Sequence, residues 1–298
     1  MKKQFKGSLC LLLATVIWGS AFVSQSVGMD HVGPFTFQAA RCFLAVIGLL
    51  PVIWITDRFK NDGKTFFSRW KDKQLWIAGL LCGIPLFLAC NLQQMGLVDT
   101  DAGKSGFLTA MYIVFVPVFG IFLRKKPSPW IPVSVGLAVV GLYFLSCAGV
   151  TQISRSDLLL VGCAVMFALQ IIFVERFAEK ADTLRLNLIQ ALVCSVLSYT
   201  VVLFTEEPTW QGLAACWLPI AHTGFLSMGA AYSLQIVGQK SLDSAPASLI
   251  MSLESVFAVI FGCWILKETM TTWEILGCVL MFIAVILSQI PAKEKSAA

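Results

Sequence analysis

The residues most able to do chemistry in this sequence are ionisable side chains that interrupt long apolar stretches. Glu254 is the clearest case, because it lies nine residues into the apolar run 245–266. At ~1.5 Å per helical residue it stands about 13 Å from the start of that run. A charge at the centre of a membrane helix costs about 2.5–3.5 kcal/mol on insertion scales. Glu254 therefore predicts a proton or cation relay or a partner for a substrate cation, the alternative being a structural bond between helices.

Two basic residues are candidate charge partners. Arg41 lies about six residues into the run 35–56, and its long side chain either reaches the depth of Glu254 or extends outward to lipid headgroups. Lys104 stands at the start of the run 103–123, where it is either an interfacial lysine or an entrance group for anionic substrates.

Uncharged polar and aromatic side chains recur at helical spacing in several apolar runs. Ser105, Thr109 and Tyr112 follow an i, i+4, i+7 pattern, so they share one helix face. Any one such residue is a common helix–helix contact, but stripes on several runs together predict a wet central cavity. The predicted cavity residues are Trp18, Asn91, Gln94, Thr109, Tyr112, Gln170, Tyr232, Gln235 and Glu254.

Residues suited to metal or covalent chemistry are few. His31 and His222 are the two histidines, and the ten cysteines form no C-x-x-C pair. The sequence has no G-x-x-x-x-G-K-[ST] loop for a nucleotide, and no H-E-x-x-H motif or nucleophile–base set can be assembled. We therefore predict a protein that is not an enzyme and uses no metal and no cofactor.

Long apolar helices must position these residues. The chain is 57% hydrophobic and 13% charged, with a mean hydropathy of +0.80, and a soluble protein of 298 residues cannot hide so much apolar surface. A helix needs about 20 apolar residues to cross the bilayer core. Ten runs meet this need: 9–28, 35–56, 75–97, 103–123, 130–150, 157–177, 186–205, 214–237, 245–266 and 273–290. The sequence predicts an all-α membrane protein with ten transmembrane helices.

Lysine and arginine are divided unevenly between the two sides of this arrangement. Most of the 22 fall in the two termini and in the connections that share their side, and basic loops stay cytoplasmic. We therefore predict a cell-membrane protein with both termini in the cytoplasm. The net charge of +5 is then an orientation signal and not a nucleic-acid footprint. The first run is predicted to be a retained helix, because it is too long for a signal peptide.

The two halves of the sequence correspond at a spacing of 143 residues. Six first-half residues recur in register as Ala245, Ser248, Val259, Leu266, Trp273 and Leu280. Because each half holds five runs, the halves must insert in opposite orientations. This predicts two inverted five-helix repeats, 1–150 and 151–298, with a site between them at the midplane. The pair Gly79 and Gly83 predicts close helix packing, either within the chain or in a homodimer.

Several motifs resemble the EamA-type members of the drug/metabolite transporter superfamily. They are the stretch Leu97–Tyr112 running into Val116-Pro117, the stretch Ala245–Ala258 ending in Leu266-Lys267-Glu268, Trp18-Gly19, and Pro34 followed by Arg41. The resemblance covers nearly the whole chain as two copies of a five-helix unit. It implies a ten-helix secondary carrier for a small molecule.

The resulting functional prediction is a secondary active transporter, in the direction of export, of small metabolites or amino-acid-like molecules across the cytoplasmic membrane. Alternating access of the two halves would move the substrate. The alternatives are a membrane-embedded enzyme, and a pore or scaffold protein. A pore would be expected to show rings of charge or a filter motif such as TVGYG, which is absent.

Overall fold

The computed structural model describes residues 2–60, 63, 65–100, 102–123, 128–146, 154–266 and 271–290. Its elements are helices throughout these ranges. The first half contains α1 (Lys2–Met29), α2 (Pro34–Arg58), a 3₁₀ turn (Ser68–Lys71), α3 (Lys73–Gly96), α4 (Ala102–Ala110), α5 (Tyr112–Phe122) and α6 (Trp130–Ser146). The second half contains α7 (Arg155–Ala178), α8 (Thr183–Thr205), α9 (Trp210–Ala215), α10 (Trp217–Ala221), a π-helical segment (His222–Ala231), α11 (Tyr232–Gln239), α12 (Ser244–Met251), α13 (Glu254–Leu266) and α14 (Thr272–Ser288).

The helices follow the predicted apolar runs, but three of the runs are broken. The run 103–123 bends at Met111, the run 245–266 bends at Ser252 and Leu253, and the run 214–237 divides into short α-helices around the π-helical segment. When α4–α5 (Lys104–Phe122) and α12–α13 (Ser244–Ile265) are each counted as one span, seven helices in the described ranges are long and apolar enough to cross a membrane. Two shorter apolar helices, Trp130–Phe144 and Thr272–Ser288, accompany them. The chain is thus a multi-pass, all-helical membrane protein.

Some of the predicted features lie outside the described residues. These are the motif residues Lys267 and Glu268, the basic connection Arg124–Lys126, and the basic residues Lys293 and Lys295 of the tail.

Local sequence signals set several helix ends. Pro34 occupies the first turn of α2, where its missing N–H costs nothing. Ser154 and Asp157 form a capping box at the start of α7, and Thr271 and Glu274 form another at the start of α14.

Small residues allow the central helices to pack closely. The helix α3 packs between α7 and α8, while α1 packs against α13, α11 and the π-helical segment. A Cβ atom on Gly79 would lie 2.3 Å from Ile189 Cγ2, and one on Gly83 would lie 2.8 Å from Val193 Cβ. The predicted glycine pair therefore packs α3 against α8 within the chain.

The helices α2 and α8 are fastened together at both ends. At one end, the Glu206 carboxylate accepts hydrogen bonds from the backbone N–H groups of Phe35 (3.0 Å) and Thr36 (2.8 Å), and so caps α2. At the other end, the guanidinium of the buried Arg185 pairs with the Asp57 carboxylate. The helices α6 and α14 also pack closely against each other, and both contact α12.

Candidate functional site

A cavity at the centre of the molecule collects side chains from both halves of the chain. Its volume is about 40 Å³, which is room for a few water molecules and not for a metabolite. Seven residues named from the sequence line it: Trp18, Arg41, Tyr112, Gln170, Tyr232, Gln235 and Glu254. The structure therefore brings most of the predicted site together in one small cavity.

Glu254 owes its position to a break in a membrane helix. It is the first residue of α13, directly after the bend at Ser252 and Leu253, and its side chain is buried. The Tyr112 hydroxyl donates a 3.0 Å hydrogen bond to Glu254 Oε1. Tyr112 is itself the first residue of α5, after the bend at Met111, and its ring packs edge-on against Phe167, with centroids 6.4 Å apart.

Arg41 is buried on the cavity wall and does not extend to headgroups. Its Nε donates to Gln38 Oε1 at 2.6 Å, and its Nη1 donates to Gln25 Oε1 at 2.6 Å. The ion pairs formed within the described ranges include neither Arg41 nor Glu254. The cavity therefore presents a cationic and an acidic group that are not paired with each other.

Side-chain amides form a second polar wall of the cavity. Gln235 Nε2 donates to Gln170 Oε1 at 3.0 Å, and Gln170 Nε2 donates to Gln190 Oε1 at 3.3 Å. Gln235 Oε1 is buried and has no hydrogen-bond partner among the described residues.

Aromatic rings close the cavity on the side of α1. The rings of Trp18 and Tyr232 meet edge-on with centroids 5.0 Å apart. The Tyr232 hydroxyl lies 3.7 Å from Cys90 Sγ. Trp18 Nε1 is buried and finds no hydrogen-bond acceptor in the part of the chain that the structure describes. This wall suits an apolar or aromatic portion of a ligand.

The other predicted site residues lie near the cavity without lining it. Asn91 Nδ2 donates to Ser198 Oγ at 2.9 Å and so links α3 to α8. Thr109 Oγ1 accepts from Gln93 Nε2 at 3.3 Å. Gln94 is fully buried, and neither of its amide atoms has a partner within the described residues.

The remaining candidate, Lys104, is held in an ion pair. Its Nζ lies 2.7 Å from Asp157 Oδ1 and 2.8 Å from Asp157 Oδ2. Asp157 belongs to the capping box of α7, so this pair ties the start of α4 to the start of α7. The observed contact is structural, and it leaves Lys104 partly neutralised.

The His222 ring contacts two serines of α1. Its two ring nitrogens lie 3.2 Å from Ser20 Oγ and 2.9 Å from Ser24 Oγ. No group of three or more His, Cys, Asp or Glu side chains suited to a metal ion occurs in the described ranges.

Sequence reasoning missed three polar residues that line the cavity: Gln25, Gln93 and Ser227. Gln25 follows Trp18 by seven residues on the same helix, so the rule that defined the other stripes applies to it as well. Ser227 lies in the π-helical segment, where the usual helical periodicity does not hold. No spacing pattern in the sequence marks Gln93 as a cavity residue.

Larger cavities lie at both ends of the molecule, separated from the central one. A cavity of about 650 Å³ lies beside Glu206, and another of about 380 Å³ lies beside Glu175 at the opposite end. Between the central cavity and the Glu206 end, Phe22 packs with Leu97, Met29 and Ala258. At the opposite end, Glu175 binds the backbone N–H and hydroxyl of Ser244.

Comparisons with known proteins agree with this architecture. The chain is 30% identical over 286 residues to an uncharacterized transporter of Archaeoglobus fulgidus, covering 96% of this chain and 86% of that protein. It is 22% identical to the uncharacterized transporter YoaV of Bacillus subtilis, covering 93% and 94% of the two chains. A match to mouse solute carrier family 35 member F6 spans 55% of this chain and 48% of that one, at 25% identity.

One solved structure, described as "Crystal structure of protein", shares the fold. It superimposes with a TM-score of 0.79 at 17% identity and covers 96% of this chain and 97% of its own. The model of the EamA-like transporter family matches residues 5–147 and again residues 154–289. The predicted resemblance is thereby confirmed, and the transporter relatives agree with a protein that is not an enzyme. The chain belongs to the EamA-like transporter family and is a membrane transporter with a small-molecule substrate.

Proposed function

We propose that the protein is a secondary active transporter that exports small metabolites or amino-acid-like molecules by alternating access. The observation that carries the proposal is the presence of Arg41 and Glu254 on one small cavity without an ion pair between them. A buried charge without a counter-charge is costly even when neutral groups bond to it, so each group favours a ligand that brings the opposite charge. A ligand with a carboxylate for Arg41 and an ammonium for Glu254 supplies both.

Two inverted five-helix repeats, 1–150 and 151–298, provide the two halves that move. In such a repeat α1 corresponds to α7, α3 corresponds to α11, α2 corresponds to α8 and α6 corresponds to α14. The packing supports this arrangement, because α3 packs against α7 and, in the same way, α11 packs against α1. The corresponding helices α2 and α8 also pack against each other, as do α6 and α14. The two consecutive matches to one family model also support the repeat and its ten spans. Discontinuous helices at corresponding places are a recurrent feature of such transporters.

The small volume of the central cavity, about 40 Å³, suits a narrowed, occluded step of the transport cycle. Separation of the Phe22 cluster (Phe22, Met29, Leu97 and Ala258) would open the cavity toward the Glu206 end. Separation of Glu175 from Ser244 would open it toward the other end. Alternation between these two openings carries the substrate across the bilayer.

The end that carries Glu175 faces the cytoplasm, with both termini, in the cell membrane. Lys60, Arg69 and Arg185 cluster there around Asp57 and Asp182, as the positive-inside rule requires. Glu254 is the coupling group, because a buried carboxylate can bind a proton from one side and release it to the other.

A ligand screen on the purified protein tests the proposal. Zwitterionic amino acids should raise the thermal unfolding temperature and show counterflow in liposomes, whereas their methyl esters and N-acetyl derivatives should do neither. The esters lack the negative charge for Arg41, and the acetylated forms lack the positive charge for Glu254. Equal counterflow of all three classes would contradict recognition by the two charges, and no counterflow of any small metabolite would contradict transport itself.

A further inference from the structure

A chain of four side-chain amides runs from the central cavity into the packed interior. Gln235 bonds to Gln170, Gln170 bonds to Gln190, and Gln190 Nε2 donates to Asn187 Oδ1 at 2.8 Å. All four side chains are at most 1% exposed. Gln235 and Gln170 line the cavity, whereas Gln190 and Asn187 lie behind them on α8.

The Asn187 end of this amide chain fixes the donor and the acceptor of every hydrogen bond in it. Asn187 Nδ2 donates to the backbone carbonyls of Met228 (3.0 Å) and Gly229 (2.8 Å) in the π-helical segment. It also donates to Ser233 Oγ, which in turn donates to the Gly229 carbonyl. Backbone carbonyls accept and never donate. The Asn187 amide must therefore turn its N–H₂ group toward them and its oxygen toward Gln190.

The same reasoning then passes from one amide to the next. Gln190 must donate to the Asn187 oxygen, so Gln190 offers its own oxygen to Gln170. Gln170 must donate to that oxygen, and it offers its oxygen to Gln235. Amide oxygen and nitrogen are easily confused when each residue is considered alone, but here the carbonyl anchor decides all four orientations. Gln235 therefore ends the chain with its oxygen unused.

We propose that Gln235 Oε1 is a fixed acceptor that selects substrates bearing an uncharged donor, a hydroxyl or a neutral N–H group. A buried acceptor without a partner is costly, so a ligand that lacks a donor leaves this oxygen unsatisfied. Sites built around such a bond discriminate strongly against analogues that lack the donor. Glu254 is the better partner for an ammonium, because it can carry the opposite charge.

Gln190 and Asn187 are positioning residues in this scheme, since they act only through their neighbours. The inference rests on the proposed transport function for its physiological meaning, although ligand selectivity can be measured by binding alone. Gln239 offers a matched control on the same helix. It is buried, its Nε2 donates to the Ile171 carbonyl at 2.9 Å, and its Oε1 also lacks a partner among the described residues. It does not line the central cavity.

The experiment compares matched probes on the full-length protein. L-Serine, L-homoserine and L-tyrosine are each measured against their O-methyl ethers, by thermal shift and by counterflow in liposomes. The wild type should favour at least one hydroxyl-bearing probe over its ether by about tenfold or more. Gln235→Met and Gln190→Met should bring this ratio close to one, whereas Gln239→Met should leave it unchanged. Gln190→Leu replaces Gln190→Met if the latter does not fold, because a leucine side chain can neither donate to Asn187 nor accept from Gln170.

Three results would overturn the inference: no hydroxyl-bearing probe binds, the wild type treats both members of every pair alike, or the ratio survives in the Gln235 and Gln190 variants. A purely structural role of Gln190 would lower stability without changing the ratio. Counterflow without selectivity would support the proposed transport function and contradict this inference. Selective binding without counterflow would support this inference and contradict the proposed transport function.

Discussion

The Tyr112 hydroxyl lies 3.0 Å from Glu254 Oε1 and donates a hydrogen bond to it. Each of these residues begins the helix that follows a bend, at Met111 in one half and at Ser252 and Leu253 in the other. The two broken helices thus meet at their bends, and the bond joins the two sequence halves at the central cavity. A group that gains or loses a proton here is placed to affect both halves together.

Replacement of Glu254 by Gln removes both the titrating group and the counter-charge for the substrate's ammonium. Glutamine retains the size of the side chain and an oxygen that can accept from Tyr112, but it does not titrate. We expect Glu254→Gln to abolish transport driven by a pH gradient, whereas substrate exchange at equal pH should persist only at a higher substrate concentration, because the ammonium has lost its charged partner. Tyr112→Phe is the control, because it removes the hydrogen bond and leaves the carboxyl group. Gradient-driven uptake at the wild-type rate in Glu254→Gln liposomes would show that Glu254 is structural.

The hydrogen bonds of Arg41 lead to a second prediction about Glu254. Because the guanidinium bonds to Gln25 and Gln38, Arg41 and Glu254 should not act as a mutual structural latch. A double-mutant cycle on thermal stability with Arg41→Gln and Glu254→Gln should give a coupling free energy below about 0.5 kcal/mol. Recovery of stability in the double variant relative to Glu254→Gln would instead demonstrate the latch.

Spacing along single helices predicted much of this site. Trp18 and Tyr112 both line the central cavity, although the stripe that predicted Tyr112 crosses the break at Met111 and its other members, Ser105 and Thr109, do not line it. Glu254 was found because a carboxylate in an apolar run needs an explanation. These features depend on local sequence only.

The side-chain contacts between different helices could not be predicted from the spacing along one helix. Asn91 shows the helical spacing of a cavity residue but bonds to Ser198 instead, because the rotation of α3 is set by its packing against α7 and α8. The acceptor of Arg41 in α1, Gln25, has no charge to mark it. The π-helical segment changes the helical period at Ser227, so a sequence pattern based on 3.6 residues per turn misplaces that residue.

The ion pairs at the Asp57 end predict a loss of stability at low pH. Burial raises the pKa of the Asp182 carboxyl, but hydrogen bonds from Lys60 (2.6 Å) and from the Arg185 backbone N–H outweigh burial, and the pKa is lowered overall. A lowered folded-state pKa stabilises the fold above the unfolded-state pKa, and this stability is lost as the pH falls through the folded-state value.

Asp182→Asn is the variant that measures this contribution. Asparagine can still cap α8, so the change removes the charge and keeps the cap. We expect a loss of up to about 1 kcal/mol at pH 7, and a smaller difference from the wild type below about pH 4. The measurement is the thermal unfolding temperature in detergent at a series of pH values. An equal deficit at every pH would rule out the ionised carboxylate as the cause.

The surroundings of Gly19 and Gly136 predict different effects of a substitution by alanine on stability. A Cβ atom on Gly19 would lie 2.4 Å from Phe257 Cβ and 2.8 Å from the Ala258 backbone nitrogen, whereas one on Gly136 would meet nothing within 4 Å. Gly19→Ala should therefore push α1 away from α13 and cost about 1–3 kcal/mol. Gly136→Ala should leave the unfolding temperature unchanged or slightly higher. Similar stability of both variants would contradict the close α1–α13 packing.

The Phe22 cluster predicts where the central cavity opens. Phe22 lines the central cavity, while Leu97 and Met29 line the larger cavity beside Glu206, so this apolar contact is the barrier between them. Ser227→Cys, in a background without the ten native cysteines, places a small thiol reporter on the central cavity. Phe22→Ala should raise its reaction rate with a membrane-impermeant thiol reagent added on the Glu206 side. If the substitution lowers the free-energy difference between the open and the closed cavity by about 1.4 kcal/mol, the open population and the labelling rate rise about tenfold.

Phe204→Ala is the matched control for this experiment, because the Phe204 ring is exposed on the outer surface of the bundle. It should leave the labelling rate unchanged. The same reagent applied from the Glu175 side should gain nothing from Phe22→Ala, since the Phe22 cluster includes residues that line the cavity beside Glu206 and none that lines the cavity beside Glu175. Faster labelling from both sides would mean that Phe22 supports the fold as a whole. An unchanged rate from the Glu206 side would mean that the barrier lies elsewhere.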